Sequence, residues 1–170
     1  DILAGLKDIY TQKNYVHGDL KPDNILVKNN MVYIGDLGTS TVAGSKRAGS
    51  TRDHMGCEYT RCPVLFNKLS HPSTKTDLFS FGNILYKMIS GEYFLENEIN
   101  EAKKDKNELE KLMLDIHEKS KEDYEKMLDS KISYLSVDDD FKNYIKKCLN
   151  YKDFGKDSFK DSLEAYDAYI

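Results

Sequence analysis

Residues 15–27 read YVHGDLKPDNILV. Within them His17, Asp19, Lys21 and Asn24 fall at intervals that neither a helix nor a strand imposes. Gly18 and Pro22 punctuate the run, so it reads as a loop. The loop leads into two short apolar and β-branched runs, NILV and MVYIGD, joined by Lys28, Asn29 and Asn30, a pattern that predicts a small hairpin. Two antiparallel strands return the chain to its starting point, so Asp36 should come back to the end of the site where Asn24 lies.

A base, a cation, an amide and a second carboxylate held this closely suit phosphoryl transfer to a hydroxyl. That reaction asks a protein to orient the hydroxyl, hold Mg²⁺ on the phosphates and neutralise charge in the transition state. Asp19 could accept the hydroxyl proton and Lys21 could reach the transferred group. Asn24 and Asp36 could ligate magnesium, which prefers hard oxygen donors.

Outward from this stretch, the composition narrows the class. The chain has 170 residues, enough for one domain or one lobe of a larger one. Lys and Arg number 25 against 29 Asp and Glu, and a net charge of -4 with no basic stripe argues against nucleic-acid binding. Cys57, Cys62 and Cys148 form no close CxxC pair, which suggests neither a disulfide framework nor a zinc site and favours a reducing, cytoplasmic setting. No apolar run approaches the roughly 18–20 residues of a membrane span, and no signal peptide opens the sequence. The first residue is Asp1, already inside the helical pattern DILAGLKDIYTQ, so the chain is expected to be part of something longer.

After the hairpin, residues 38–60 are polar and aperiodic and read as an exposed loop. Residues 76–90, TDLFSFGNILYKMIS, are apolar nearly all round and predict a buried helix that Gly91 ends. Residues 92–132 are heavily charged. Stripes at Leu109, Leu112, Met113 and Ile116, and at Tyr124, Met127 and Leu128, predict amphipathic helices with a solvated outer face. Two final helices are expected over 139–149 and 158–169. His54, His71, His117 and the scattered tyrosines, Tyr93 among them, lack any partner pattern and carry no site signal.

HGDLKPDN resembles the catalytic loop of eukaryotic-type protein kinases, H-R-D-L-K-x-x-N, and DLG at 36–38 resembles their D-F-G. The Lys two residues after the Asp resembles the serine/threonine branch. GCEYTRCPV is similar to the G-T-x-x-Y-x-A-P-E segment that closes the activation loop, the 76–90 stretch to the family's central helix, and CLNYKDFGKDSF to C-L-x-x-D-P-x-x-R-P-S-F. The resemblance implies a mainly α protein-kinase C-lobe over residues 1–170, with a small β-hairpin at the catalytic loop. Its catalytic loop would be 15–27 and its activation segment 36–64, including Gly38, Cys57 and Pro63. It implies ATP and Mg²⁺ as cofactors and a protein as substrate. His17 and Leu37 would join the family's stacked apolar spine, which Asp77 would anchor to the central helix. Leu26, Ile84 and Met88 would lie beneath the adenine ring, so the nucleotide would meet Leu26, Lys21, Asn24 and Asp36.

Four departures matter. Gly18 replaces the Arg that pairs with an activation-loop phosphate, so a phosphate on Ser45, Ser50 or Thr51 would lack its bidentate partner. Val64 stands in place of the Glu of A-P-E and Lys156 in place of its buried Arg partner, a paired loss that leaves no stranded charge and implies a looser docking segment. Cys57 replaces the Thr that contacts the catalytic Asp and Lys, and a thiol is the weaker partner. The N-lobe is missing: no G-x-G-x-x-G, no strand Lys and no Glu-bearing helix occurs, so these 170 residues alone should catalyse poorly. A scaffold or pseudokinase is the rival reading, favoured by Gly18, Cys57 and Val64. HGD followed by Asn and Asp also resembles aminoglycoside and choline phosphotransferases, from which the 76–90 helix and its Pro-bearing approach separate it.

Overall fold

A computed structural model describes residues 1–45, 57–67, 69–152 and 158–169. Helix α1 (Ile2–Lys13) leads through β1 (Tyr15–Val16) and a 3₁₀ turn (Pro22–Asn24) into the hairpin β2 (Ile25–Lys28) and β3 (Met31–Ile34). A second 3₁₀ turn (Leu37–Thr39), β4 (Thr41–Val42) and a third turn (Pro63–Phe66) precede α2 (Thr74–Ser90). Five helices follow: α3 (Glu96–Ala102), α4 (Lys106–Glu118), α5 (Lys121–Ile132), α6 (Asp139–Leu149) and α7 (Ser162–Asp167). The protein is mainly α, as the sequence implies.

Local chemistry explains the turns that shape the site. Asn14, at φ 52°, ends α1 in the left-handed conformation and redirects the chain into β1. The hairpin closes through Asn29 and Asn30, both at positive φ (52° and 59°), the two-residue geometry whose twist matches paired strands and which Asn tolerates better than most residues. Register sets Ile25 opposite Ile34 and Lys28 opposite Met31.

Helix α2 is the axis of the fold. It starts two residues earlier than the apolar pattern suggests, because the Ser73 amide donates to Thr76 Oγ1 (3.1 Å), half of a capping box. Gly91, at φ 86°, ends it. Phe79 and Tyr86 pack into one apolar cluster with side chains of α3, α4, α5 and α6, among them Ile99, Met113, Leu128 and Ile145. Leu78, Phe81 and Ile84 pack into a second cluster with Leu3, Leu6, Tyr144 and Phe159. The expected all-round burial fails at the last turn, where Met88 is 75% exposed. The first three turns lie between two cores and the fourth emerges from them.

The amphipathic stripes point inward as their spacing requires, with Leu109, Met113 and Ile116 of α4 and Tyr124 and Leu128 of α5 buried. Helix α6 keeps its expected bounds, but α7 is shorter than expected. Phe159 is drawn into the second cluster, and the Asp161 carboxylate accepts from the amides of Leu163 (3.1 Å) and Glu164 (3.0 Å), so the helix begins only after it. Residues 38–60 are not wholly irregular either: β4 pairs antiparallel with β1, Tyr15 opposite Val42. Ser50, Thr51, His54 and Lys156 lie outside the described residues.

Two expectations follow from the packing. A Cβ on Gly82 would meet Cys148 Cβ at 2.9 Å and Leu149 Cγ at 3.0 Å, so Gly82→Ala must push α2 from α6 and should cost about 1–3 kcal/mol in urea unfolding; unchanged stability would show that the helices do not approach this closely. His117, at the end of α4, has its pKa lowered below 6.5, first by burial and then by the Lys152 ammonium, which holds the His117 carbonyl (2.7 Å). The neutral ring is therefore the folded form, and its stabilising contribution is present above pH 6.5 and lost as pH falls through the lowered value. Stability against pH should fall on the acid side of 6.5, and His117→Gln should flatten that slope.

Candidate active site

The site grows from α2. Asp77, buried in its first turn, accepts from two successive backbone amides, His17 N (2.6 Å) and Gly18 N (2.8 Å). Adjacent amides converge on one carboxylate only if the chain turns sharply between them, and Gly18 supplies that turn at φ 77°. The glycine read from the sequence as a lost cation therefore also has a backbone role.

Around this pin the loop is tied to itself. His17 is fully buried, its Nε2 lying 2.9 Å from the Gly35 carbonyl while Nδ1 accepts from the Asp19 amide at 3.3 Å. The tautomer that satisfies both contacts carries its proton on Nε2. Thr39 Oγ1 donates to the His17 carbonyl (3.2 Å), and Asn24 Nδ2 donates to the Asp19 carbonyl (2.8 Å). Gly35 N donates to the Asn24 carbonyl (2.7 Å), which seats Asp36 next to Asn24.

The Asp19 carboxylate is gripped at both oxygens. Lys21 Nζ lies 3.1 Å from Oδ2, and the Cys57 amide donates to Oδ1 at 3.2 Å. The Lys21 pKa is raised, chiefly by its hydrogen bond to Asp19 and against the opposing effect of burial. Cys57 reaches Asp19 through its main chain, not its thiol, so this contact survives the change of side chain that the sequence comparison treats as a weakening.

Asp36 takes a left-handed conformation (φ 55°), and its Oδ1 accepts from Gly38 N (3.3 Å). Asn24 is buried with its nitrogen turned to the Asp19 carbonyl, whereas Asp36, just past the end of the hairpin, is exposed. Among the described residues no group of three or more His, Cys, Asp or Glu could form a metal cage.

Other sequence-derived residues scatter. Leu26 is 55% and Leu37 52% exposed, whereas Ile84 is buried in the second core. Pro63 is buried at the start of its 3₁₀ turn, and Val64 packs partly buried against the first core. Arg61 lies over the Phe66 ring (4.2 Å) and donates to the Leu65 carbonyl (2.7 Å), so this segment is held by packing and not by an ion pair at position 64. Sequence reasoning missed Tyr59 and Tyr93, which stack beside the Cys57 segment. They are 34 positions apart in sequence, and no local pattern marks them.

The family model of the protein kinase domain matches residues 1–165. The chain belongs to the protein kinase domain family. It is similar to human serine/threonine-protein kinase 16, 37% identical over 102 residues, which covers 54% of this chain and 33% of that protein. It is also similar to an Arabidopsis thaliana protein described as a probable leucine-rich repeat receptor-like protein kinase, 33% identical over 88 residues, or 51% of this chain and 11% of that one. The kinase fold is shared with a chain of the yeast RNA polymerase II CTD kinase complex, at TM-score 0.68 and 18% identity, over 96% of this chain and 57% of that chain. This kinase chain thus spans a third or less of those two curated relatives. No described helix is long and apolar enough to cross a membrane.

The Asp77 pin makes a direct prediction. Asp77→Ala would orphan one buried and one partly buried donor, each worth up to roughly 1–3 kcal/mol. Denaturation should show a loss of about 2–4 kcal/mol, with faster amide exchange at His17 and Gly18. Protection unchanged at those amides would remove the carboxylate from this role.

Proposed function

We propose that the chain is the C-lobe of a protein serine/threonine kinase that transfers the γ-phosphate of ATP to a protein hydroxyl. The observation that carries this reading is the Asp19 carboxylate, held between Lys21 Nζ and the Cys57 amide on a loop pinned by Asp77. A general base must be oriented before its substrate arrives, and each Asp19 oxygen has a partner that orients it.

In this reading Asp19 accepts the proton of the attacking hydroxyl. Lys21, already cationic and within reach of Asp19, moves to the transferred phosphoryl group as charge develops there. Asn24 and Asp36 hold Mg²⁺ by oxygen, and the metal when bound neutralises the phosphates. His17 acts through position only: it is buried, and both ring nitrogens are engaged by the backbone. Leu26 and Leu37, half exposed on and after the hairpin, offer apolar surface to the adenine ring and to an N-lobe. The C-lobe assignment extends over residues 1–170, and a lobe that covers the ATP phosphates is required for efficient turnover. The free thiols of Cys57, Cys62 and Cys148 suit a reducing cytoplasm.

In the full-length protein Asp19→Asn should lower transfer by roughly 10²–10⁴-fold without unfolding the domain. Undiminished transfer would sink the assignment of the base. Asp36→Ala should abolish Mg²⁺-dependent nucleotide binding in a calorimetric titration, and unchanged binding would favour a scaffold.

A further inference from the structure

Beside Asp19 lies a cluster to which the transfer reading gives no part. Tyr59, two residues after Cys57, stacks on Tyr93 with ring centroids 5.1 Å apart and planes within 8°. The Tyr59 hydroxyl donates to Asn100 Oδ1 (2.8 Å) and accepts from Lys103 Nζ (2.5 Å), both on or at the end of α3. Lys87 lies 4.1 Å over the outer ring, that of Tyr93, and pairs with Glu96 (3.6 Å). Tyr59 is therefore gripped from two directions, by the connection after α2 and by α3.

What the grip holds is a turn. The amides of Thr60 (3.2 Å) and Arg61 (3.0 Å) both donate to the Cys57 carbonyl, so residues 57–61 move as a unit. One end of that unit is anchored to α2, where Ser80 Oγ donates to the Thr60 carbonyl (2.8 Å). Its Arg61 end is held as well, by the Leu65 carbonyl (2.7 Å) and over the Phe66 ring. Tyr59 adds an attachment closer in sequence to Cys57, between those anchors and the amide that meets Asp19. The quantity at stake is the Cys57 amide contact with Asp19 Oδ1, which at 3.2 Å is at the long end of the N–H···O range, so a small rotation would end it.

We infer that the Tyr59–Tyr93 stack, with its clasp on Asn100 and Lys103, is a positioning device that fixes the rotation of the 57–61 turn and so keeps the Cys57 amide on Asp19. The inference rests on Asp19 as the base of the proposed transfer. It makes α3 part of the apparatus that orients the base, although no α3 side chain contacts Asp19 among the described hydrogen bonds and ion pairs.

The test uses the full-length kinase with Tyr59→Ala, Tyr59→Phe and Tyr93→Leu, and Asp19→Asn as control. Tyr59→Ala and Tyr93→Leu should lower kcat roughly tenfold to hundredfold while KM for ATP stays within about twofold. Tyr59→Phe keeps the ring but loses the bonds to Asn100 and Lys103, and its kcat should fall between that of the unaltered kinase and that of Tyr59→Ala. With ¹⁵N-cysteine labelling, the Cys57 amide proton should move upfield in Tyr59→Ala and Tyr93→Leu, and its solvent exchange should quicken in step with kcat. An unmoved Cys57 signal in a folded variant, whether kcat falls or holds, overturns the inference. If Tyr59→Ala does not fold, Tyr93→Leu carries both readouts. Full transfer by Asp19→Asn would overturn the base itself, a result distinct from an inactive Asp19→Asn beside normal Tyr59 and Tyr93 variants.

Discussion

Everything around the candidate active site depends on one buried carboxylate. Asp77 takes the amides of His17 and Gly18 at 2.6 and 2.8 Å, charge-assisted bonds of the stronger kind. Burying a carboxylate costs several kcal/mol unless donors meet it, and these two amides help to offset that cost while the loop keeps this conformation. The fold thereby makes loop geometry a condition of core stability. The loop in turn inherits the rigidity of α2, which lies between two apolar clusters.

The same device recurs along α2 at steps of three residues. Ser80 reaches back to the Thr60 carbonyl and Asn83 Oδ1 accepts from the Phe94 amide (3.1 Å), so Asp77, Ser80 and Asn83 each hold a different connection. Residues three apart share a helix face, and this face is polar although buried. Apolar side chains on the rest of α2 supply most of the burial, and these polar ones supply register. A helix packed only by Leu and Phe could shift slightly at modest cost, whereas misplacing a buried hydrogen-bonded group leaves it unsatisfied.

That division explains what was legible in the sequence. Period and punctuation announced α1, the Asn29–Asn30 hairpin, the stripes of α4 and α5, and the bounds of α6, because each is set by residues close in sequence. Asp19, Lys21, Asn24 and Asp36 could be proposed as a set because a loop and a hairpin enforce their proximity locally. Met88 misled because an apolar residue on a helix says nothing of whether a neighbour covers it; here none of the described residues does so fully, and it is 75% exposed. The stack of Tyr59 on Tyr93 was invisible for the opposite reason: only the tertiary return of the segment after α2 brings the rings together. The late start of α7 follows from a competition that sequence period cannot weigh, Phe159 entering a core against one more helical turn.

Cys57 shows how a site can keep its geometry while its side chains change. Reading residue types alone, a thiol in place of a hydroxyl weakens a contact to Asp19. The contact present is an amide, which every residue but proline carries, and its aim is set by the turn from 57 to 61 and not by the side chain at 57. The constraint therefore moves to whatever positions that turn: Ser80 on one side and the Tyr59 ring on the other. The Gly18 amide follows the same logic, since its bond to Asp77 needs a backbone that glycine adopts without strain. At both places the main chain holds the candidate site and side chains elsewhere hold the main chain, so departures from a motif at a contact position weigh less than departures at its supports.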